Sequence, residues 1–101
     1  MATHTLTAGE TGAYEKTLVA STVDTVIIPT EADTIEIGTT NGTAQIYYTI
    51  NGGDPTVAGA DTILLPAAPN AVRDHSSRGF GATTVKLISS GTPTYWVAIN
   101  T

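Results

Sequence analysis

A chain of 101 residues, 41% apolar and without cysteine, holds one domain with one thin core and can form neither a disulfide framework nor a thiolate metal site. Its formal net charge of −5 comes from only 13% charged residues, and the four cations Lys16, Arg73, Arg78 and Lys86 form no run. The basic stripe that nucleic-acid binding needs is therefore missing, and no apolar run approaches the ~20 residues of a membrane-spanning helix.

Thr supplies about a fifth of the residues, with Val and Ile common. β-Branched side chains fit a pleated surface and lose χ1 freedom in helices, so the expected class is all-β. Residues 1–16 hold Gly9, Gly12, several Thr and few apolar anchors, and read as an extended N-terminal arm. A sandwich domain is expected from 17 to 101. The start Met1-Ala-Thr-His-Thr-Leu6 has neither the basic beginning nor the apolar centre of a signal peptide, so synthesis in the cytoplasm is the expectation.

Thr17 to Ile28 is the first strand-like run, closed by Pro29, and its imperfect alternation predicts a break near Ser21–Asp24. Glu31-Ala-Asp33 reads as a turn. Two alternating runs, Thr34–Ile37 and Ala44–Ile50, then flank Asn41-Gly42, whose residue types favour a type I′ hairpin turn. That turn would pair Ile37 with Ile46 and Ile35 with Tyr48 on one face, with Glu36 opposite Tyr47 on the other. Asn51-Gly-Gly-Asp-Pro55 is a turn cluster, and Thr62–Leu65 is a short buried strand closed by Pro66. Residues 67–82 read as a long loop with one brief extended pairing at 71–73. Thr83–Ile88 and Thr94–Ile99 are expected to form a last hairpin across Ser89–Pro93. Six to seven short strands at this spacing predict a β-sandwich. Its core is expected to hold Ile35, Ile37, Ile46, Tyr48, Val85, Leu87 and Val97.

Little in the chain points to catalysis. Asp74-His75-Ser76 has the residue types of a hydrolytic triad, but contiguous residues cannot converge on one substrate atom. Glu31, Asp33 and Glu36 lie on a turn and a strand edge rather than across a cleft. His4 and His75 match no metal-ligand spacing, and Asn51–Asp54 lacks the repeated acidic ligands of a calcium loop. Asn41-Gly42-Thr43 is formally a glycosylation sequon and is better explained as the hairpin turn. A non-enzyme without cofactor or metal is expected. The aromatics remain: with Tyr95, Val97 and Ile99 inward, Trp96 points out beside Ala98, and the hairpin register turns Tyr47 outward.

The segment Ile46-Tyr-Tyr-Thr-Ile-Asn-Gly-Gly-Asp-Pro-Thr56 resembles the strand-turn motif of small immunoglobulin-like modules. It is similar to the C-terminal sandwich domain of chitobiases, with Asn51 where that family usually has Asp. It also resembles small phage virion proteins over more of its length, roughly Thr17 to Thr101: the motif, Leu64-Leu-Pro-Ala67, an Arg-containing loop, Thr84-Val-Lys-Leu-Ile88 and a terminal aromatic-Val strand. This resemblance implies an immunoglobulin-like β-sandwich that decorates the outer surface of a phage capsid. The major capsid protein would be its partner, a homotrimer its assembly, and the virion its location. Leu6 and Tyr14 from the arm, with Tyr47 and Trp96 from the body, would then form interface. The competing class is a carbohydrate-binding or adhesion module, which needs a platform of exposed aromatics and has Trp96 and Tyr47 to offer. An accessory domain cut from a larger enzyme is a third reading.

Overall fold

Val, Ile, Thr and aromatic residues alternate with polar ones in short runs, and Pro falls between the runs, so the chain is cut into strands of three to seven residues. The computed structural model describes residues 2–7, 14–29, 32–59, 62–76 and 83–100. In chain order the strands are β1 (Thr3–Thr5), β2 (Tyr14–Thr17), β3 (Asp24–Ile28), β4 (Thr34–Thr39), β5 (Ile46–Thr49), β6 (Ile63–Leu65), β7 (Val72–Ser76), β8 (Thr83–Ile88) and β9 (Thr94–Asn100). They form a five-stranded sheet, β1-β3-β8-β5-β6, and a four-stranded sheet, β2-β9-β4-β7. The fold is an all-β, immunoglobulin-like sandwich, and the described residues contain no helix.

The two inner faces meet in one core. Ile35, Ile37, Ile46, Tyr48, Val85, Leu87 and Val97, the residues expected there, are each fully buried. Leu6, Leu18, Val26, Ile28, Ala32, Leu65 and Tyr95 join them. Alternation along β4, β5, β8 and β9 put these side chains inward, as the pattern predicts.

The strand partners differ from expectation. β4 and β5 are not a hairpin: β4 pairs β7 and β9, while β5 pairs β6 and β8 in the opposite sheet. Ile37 lies opposite Val97 and Arg73, and Ile46 lies opposite Leu65. Two strands facing each other across a sandwich bury the same alternate residues as two strands paired in one sheet, so the pattern fits both arrangements. The six residues between β4 and β5 cross from one sheet to the other. Gly42 sits there at φ +58°, where an added Cβ would also run into the backbone of Ala68 and Pro69. β8 and β9 likewise belong to opposite sheets, so Ser89–Pro93 is a crossing rather than a hairpin turn. Among the described residues, β5–β6 is the single pair of consecutive strands that are neighbours in one sheet.

The run Thr17–Ile28 is divided, with Ser21 at φ +55° in the break and β2 and β3 in different sheets. The expected loop 67–82 contains β7, which pairs with β4 from Val72 to Ser76. Glu31 and residues 77–82, including Arg78, lie outside the described residues.

The division into an arm ending at 16 and a body starting at 17 is not how the described segments pair. β1 runs parallel to β3, and β2 runs antiparallel to β9. The Leu6 amide donates to the Ile27 carbonyl at 2.9 Å, and the Leu6 side chain is buried in the core. The Ala2 amide donates to Oδ1 of the buried Asp24 at 2.9 Å, whose Oδ2 accepts from the Tyr95 hydroxyl at 3.0 Å. Residues 8–13 of the expected arm lie outside the described residues.

Side chains close both edges of the sandwich. On one, His4 of β1 stacks on Tyr14 of β2, ring centroids 4.1 Å apart, and Tyr14 meets Tyr95 edge-on. On the other, Arg73 Nε donates to the Leu64 carbonyl at 2.7 Å, and Nε2 of His75 is hydrogen-bonded to the Tyr48 hydroxyl. These contacts tie the β7 edge to the facing sheet.

Candidate functional site

The outer face of the four-stranded sheet is built around Trp96. Tyr95 and Val97 are buried, so alternation turns Trp96 outward. Its cross-strand neighbours are Gly38 on β4 and Glu15 on β2. An ideal Cβ at Gly38 would run into Cε2, Cζ2 and Nε1 of the indole. Because glycine has no side chain, the indole lies down on the β4 backbone instead of standing away from it. It is half-buried, with one side against the β4 backbone.

The pairing places the neighbours in rows. Val72, Gly38, Trp96 and Glu15 form one row, and Asp74, Glu36 and Ala98 form the next. Val72, Glu15, Glu36 and Asp74 are exposed. At the other end Thr17 and Thr94 share a hydroxyl–hydroxyl bond of 2.9 Å. The Asn41 side chain grips Thr94 twice: its Oδ1 accepts from the Thr94 amide at 3.2 Å, and its Nδ2 donates to the Thr94 hydroxyl at 3.4 Å. Four strands at ~4.8 Å spacing make a face about 14 Å across between outer strands. The face therefore offers one apolar ring, a carboxylate on each side of it, and a prearranged row of hydroxyl and amide groups.

The other residues singled out from the sequence lie elsewhere. Tyr47 points out from the five-stranded sheet, on the opposite side of the molecule from Trp96, and donates to Gln45 Oε1 at 2.8 Å. The two aromatics therefore cannot share one platform. Tyr47 instead lies between Leu64 and Ile88, its cross-strand partners, in a short apolar row. Leu6 is committed to its own core, and Tyr14 is half-buried between His4 and Tyr95. Neither is presented as free interface, because each fills space between the two sheets. Leu6 and Tyr14 look unanchored in sequence because isolated apolar residues among Thr and Gly carry no periodicity.

Asp74, His75 and Ser76 alternate on β7, with His75 inward and its two neighbours outward. Burial, reinforced by the Arg73 charge and partly opposed by Asp74, holds the His75 imidazole below its ordinary pKa. Burial also pushes the Tyr48 phenol up to about 12, against a small opposite pull from Arg73. Burial and the Asp24 carboxylate push Tyr95 far up as well. Asp54, in the turn cluster, pairs with Lys86 at 2.8 Å. Among the described residues no three His, Cys, Asp or Glu side chains come together as metal ligands would. Sequence reasoning passed over Glu15, Gly38, Val72 and Asp74 as a group. A glycine inside a strand marks close approach by another group, and Gly38 carried that signal.

No protein-family model and no curated protein matches the sequence. Solved structures that share the fold include the following two. CBM_E1, a carbohydrate-binding module from a sugar cane soil metagenome solved with cellopentaose and gadolinium ion, is 17% identical. The match covers 96% of this chain and 90% of that one with a TM-score of 0.58. PliG-Ec, a periplasmic inhibitor of g-type lysozyme from Escherichia coli, is 11% identical over 98% of both chains with a TM-score of 0.54. The likeness establishes a shared β-sandwich architecture.

Proposed function

We propose that this chain is a non-catalytic binding module that takes a carbohydrate on the outer face of its four-stranded sheet. The seating of Trp96 on Gly38 carries this reading. A sugar ring has an apolar face that an indole can cover and hydroxyls that need partners around it. Here the indole is held flat by the backbone beneath it, and Thr17, Thr94 and Asn41 are already oriented by their own hydrogen bonds. Such preorganisation lowers the ordering cost of binding. That a solved relative in fold is a carbohydrate-binding module adds support.

Because Trp96 is the single tryptophan, its fluorescence reports directly on the face. Titration with soluble cello- and chito-oligosaccharides should shift the emission, and Trp96→Ala should remove binding measured by calorimetry. Absence of heat and of any emission change with every oligosaccharide would overturn the reading.

A second reading, decoration of a phage capsid as a homotrimer, is favoured by the resemblance over Thr17–Thr101. Leu64, 36% exposed, and the half-buried Tyr47 beside it are its best candidate footprint. Cosedimentation with purified tailed-phage capsids, lost in a Leu64→Asp variant, is the result that would favour it. A virion surface is also a place where a glycan-binding face could be displayed.

A further inference from the structure

Resting on the carbohydrate reading, we infer that the preferred ligand is a glycan bearing free amino groups, an amino-sugar polymer in its ammonium form. The charge on the face makes the choice. Glu15 flanks Trp96 on one side; Glu36 and Asp74 lie on the other, one row along. All three carboxylates are exposed.

No described Lys or Arg shares the face. Lys16 and Arg73 are exposed on the two edge strands in register with the inward Tyr95 and Ile37, not with Trp96, and Arg73 Nε is engaged by the Leu64 carbonyl. Lys86 lies on the other sheet, paired with Asp54.

Glu36 and Asp74 are also direct cross-strand partners. Like charges at such positions, with Cβ atoms ~4.5–5.5 Å apart, weaken a sheet. A bound ammonium group would offset that like-charge pairing.

A glycan ring on the indole has substituents that reach both flanks, toward Glu15 and toward Glu36–Asp74. Exposed ion pairs are individually weak, each a factor of ~2–5 in affinity. Several together should give about a tenfold or greater preference over a neutral chain at low salt. An ammonium near the indole would add a cation–π attraction. A uronate chain would be repelled by the same carboxylates.

The test uses the intact chain, tryptophan emission and calorimetry. Three probes are compared at mildly acidic pH: glucosamine oligomers, their fully N-acetylated counterparts, and oligogalacturonate. The glucosamine oligomers should bind at least tenfold tighter than the acetylated ones, and oligogalacturonate should not bind. The gap should close in 0.5 M salt and in a Glu36→Gln/Asp74→Asn variant whose thermal melt shows it folded, while Trp96→Ala loses both ligands. Equal affinity for the two chito-oligomers, still sensitive to Trp96→Ala, would overturn the selectivity and leave the carbohydrate reading standing. Glucosamine binding that survives Trp96→Ala would be unspecific attraction and would overturn this inference. No binding by any of the three would overturn the inference and the reading beneath it.

Discussion

Gly38→Ala should be costly only while Trp96 is present. The new methyl would occupy the space now filled by Cε2, Cζ2 and Nε1 of the indole, so either the ring lifts or the strands shift. A tryptophan carries ~150–250 Å² of side-chain surface. Lifting the half-covered ring re-exposes roughly 100 Å², worth ~2.5 kcal/mol at ~25 cal/mol per Å². Keeping the ring down instead overpacks the site, at ~1–3 kcal/mol. The single substitution should therefore destabilise by ~1–3 kcal/mol and lower Tm by roughly 4–20 °C for a domain of this size. In a Trp96→Ala background the same change should be neutral or stabilising by up to ~1 kcal/mol, since alanine loses less backbone freedom than glycine on folding. The cycle needs four proteins, urea unfolding followed by circular dichroism, and emission spectra of the two that retain the indole. A red-shifted emission in Gly38→Ala should accompany the loss. Additivity within about 0.5 kcal/mol with unchanged emission would show that the ring does not rest on Gly38.

Three further outcomes follow from particular contacts. Tyr95→Phe removes a hydroxyl that satisfies the buried Asp24 and should cost ~1–3 kcal/mol in denaturant unfolding; a loss under 0.5 would show that Asp24 finds another partner. Gly42→Ala should destabilise by more than ~1 kcal/mol, because the position combines positive φ with contact against Ala68 and Pro69. His75 has a folded pKa below its unfolded value, so the unfolded chain takes up the proton first. Stability should be fully present above pH ~6.5 and should decline as pH falls from there toward the lower folded pKa. His75→Gln should flatten that part of the urea-midpoint profile.

The direction each core side chain faces was legible, and the strand it faces was not. Ile35, Ile37, Ile46 and Tyr48 alternate with polar neighbours, which fixes inward and outward for each strand by itself. Asn41-Gly42 has hairpin chemistry, yet here the positive φ of Gly42 serves a crossing between sheets. Only long-range pairing distinguishes the two uses, and neighbouring residues hold no record of it. β7 was hidden for a different reason: its inward positions are Arg73 and His75, polar residues that cap an edge, so no apolar alternation announces a strand. Trp96 outward beside Ala98 was legible from Tyr95 and Val97. The face around it was not, because Glu15, Gly38 and Asp74 come from three strands that meet only in the folded sheet.

The order of the strands also decides when this protein can first exist. β8 and β9, the last strands made, lie inside their sheets: β8 separates β3 from β5, and β9 separates β2 from β4. Until residues 83–100 have left the ribosome, the earlier strands have lost the partners that join them, and only β1–β3, β4–β7 and β5–β6 can pair. At synthesis rates of ~5–20 residues per second, the nascent chain spends on the order of 5–20 s with neither sheet joined. Solubility in that interval rests on its many Thr hydroxyls and its net charge of −5 rather than on structure. A nascent chain stalled a few residues short of Thr94 should remain as protease-sensitive as one stalled halfway, and the gain of resistance should come in a single step.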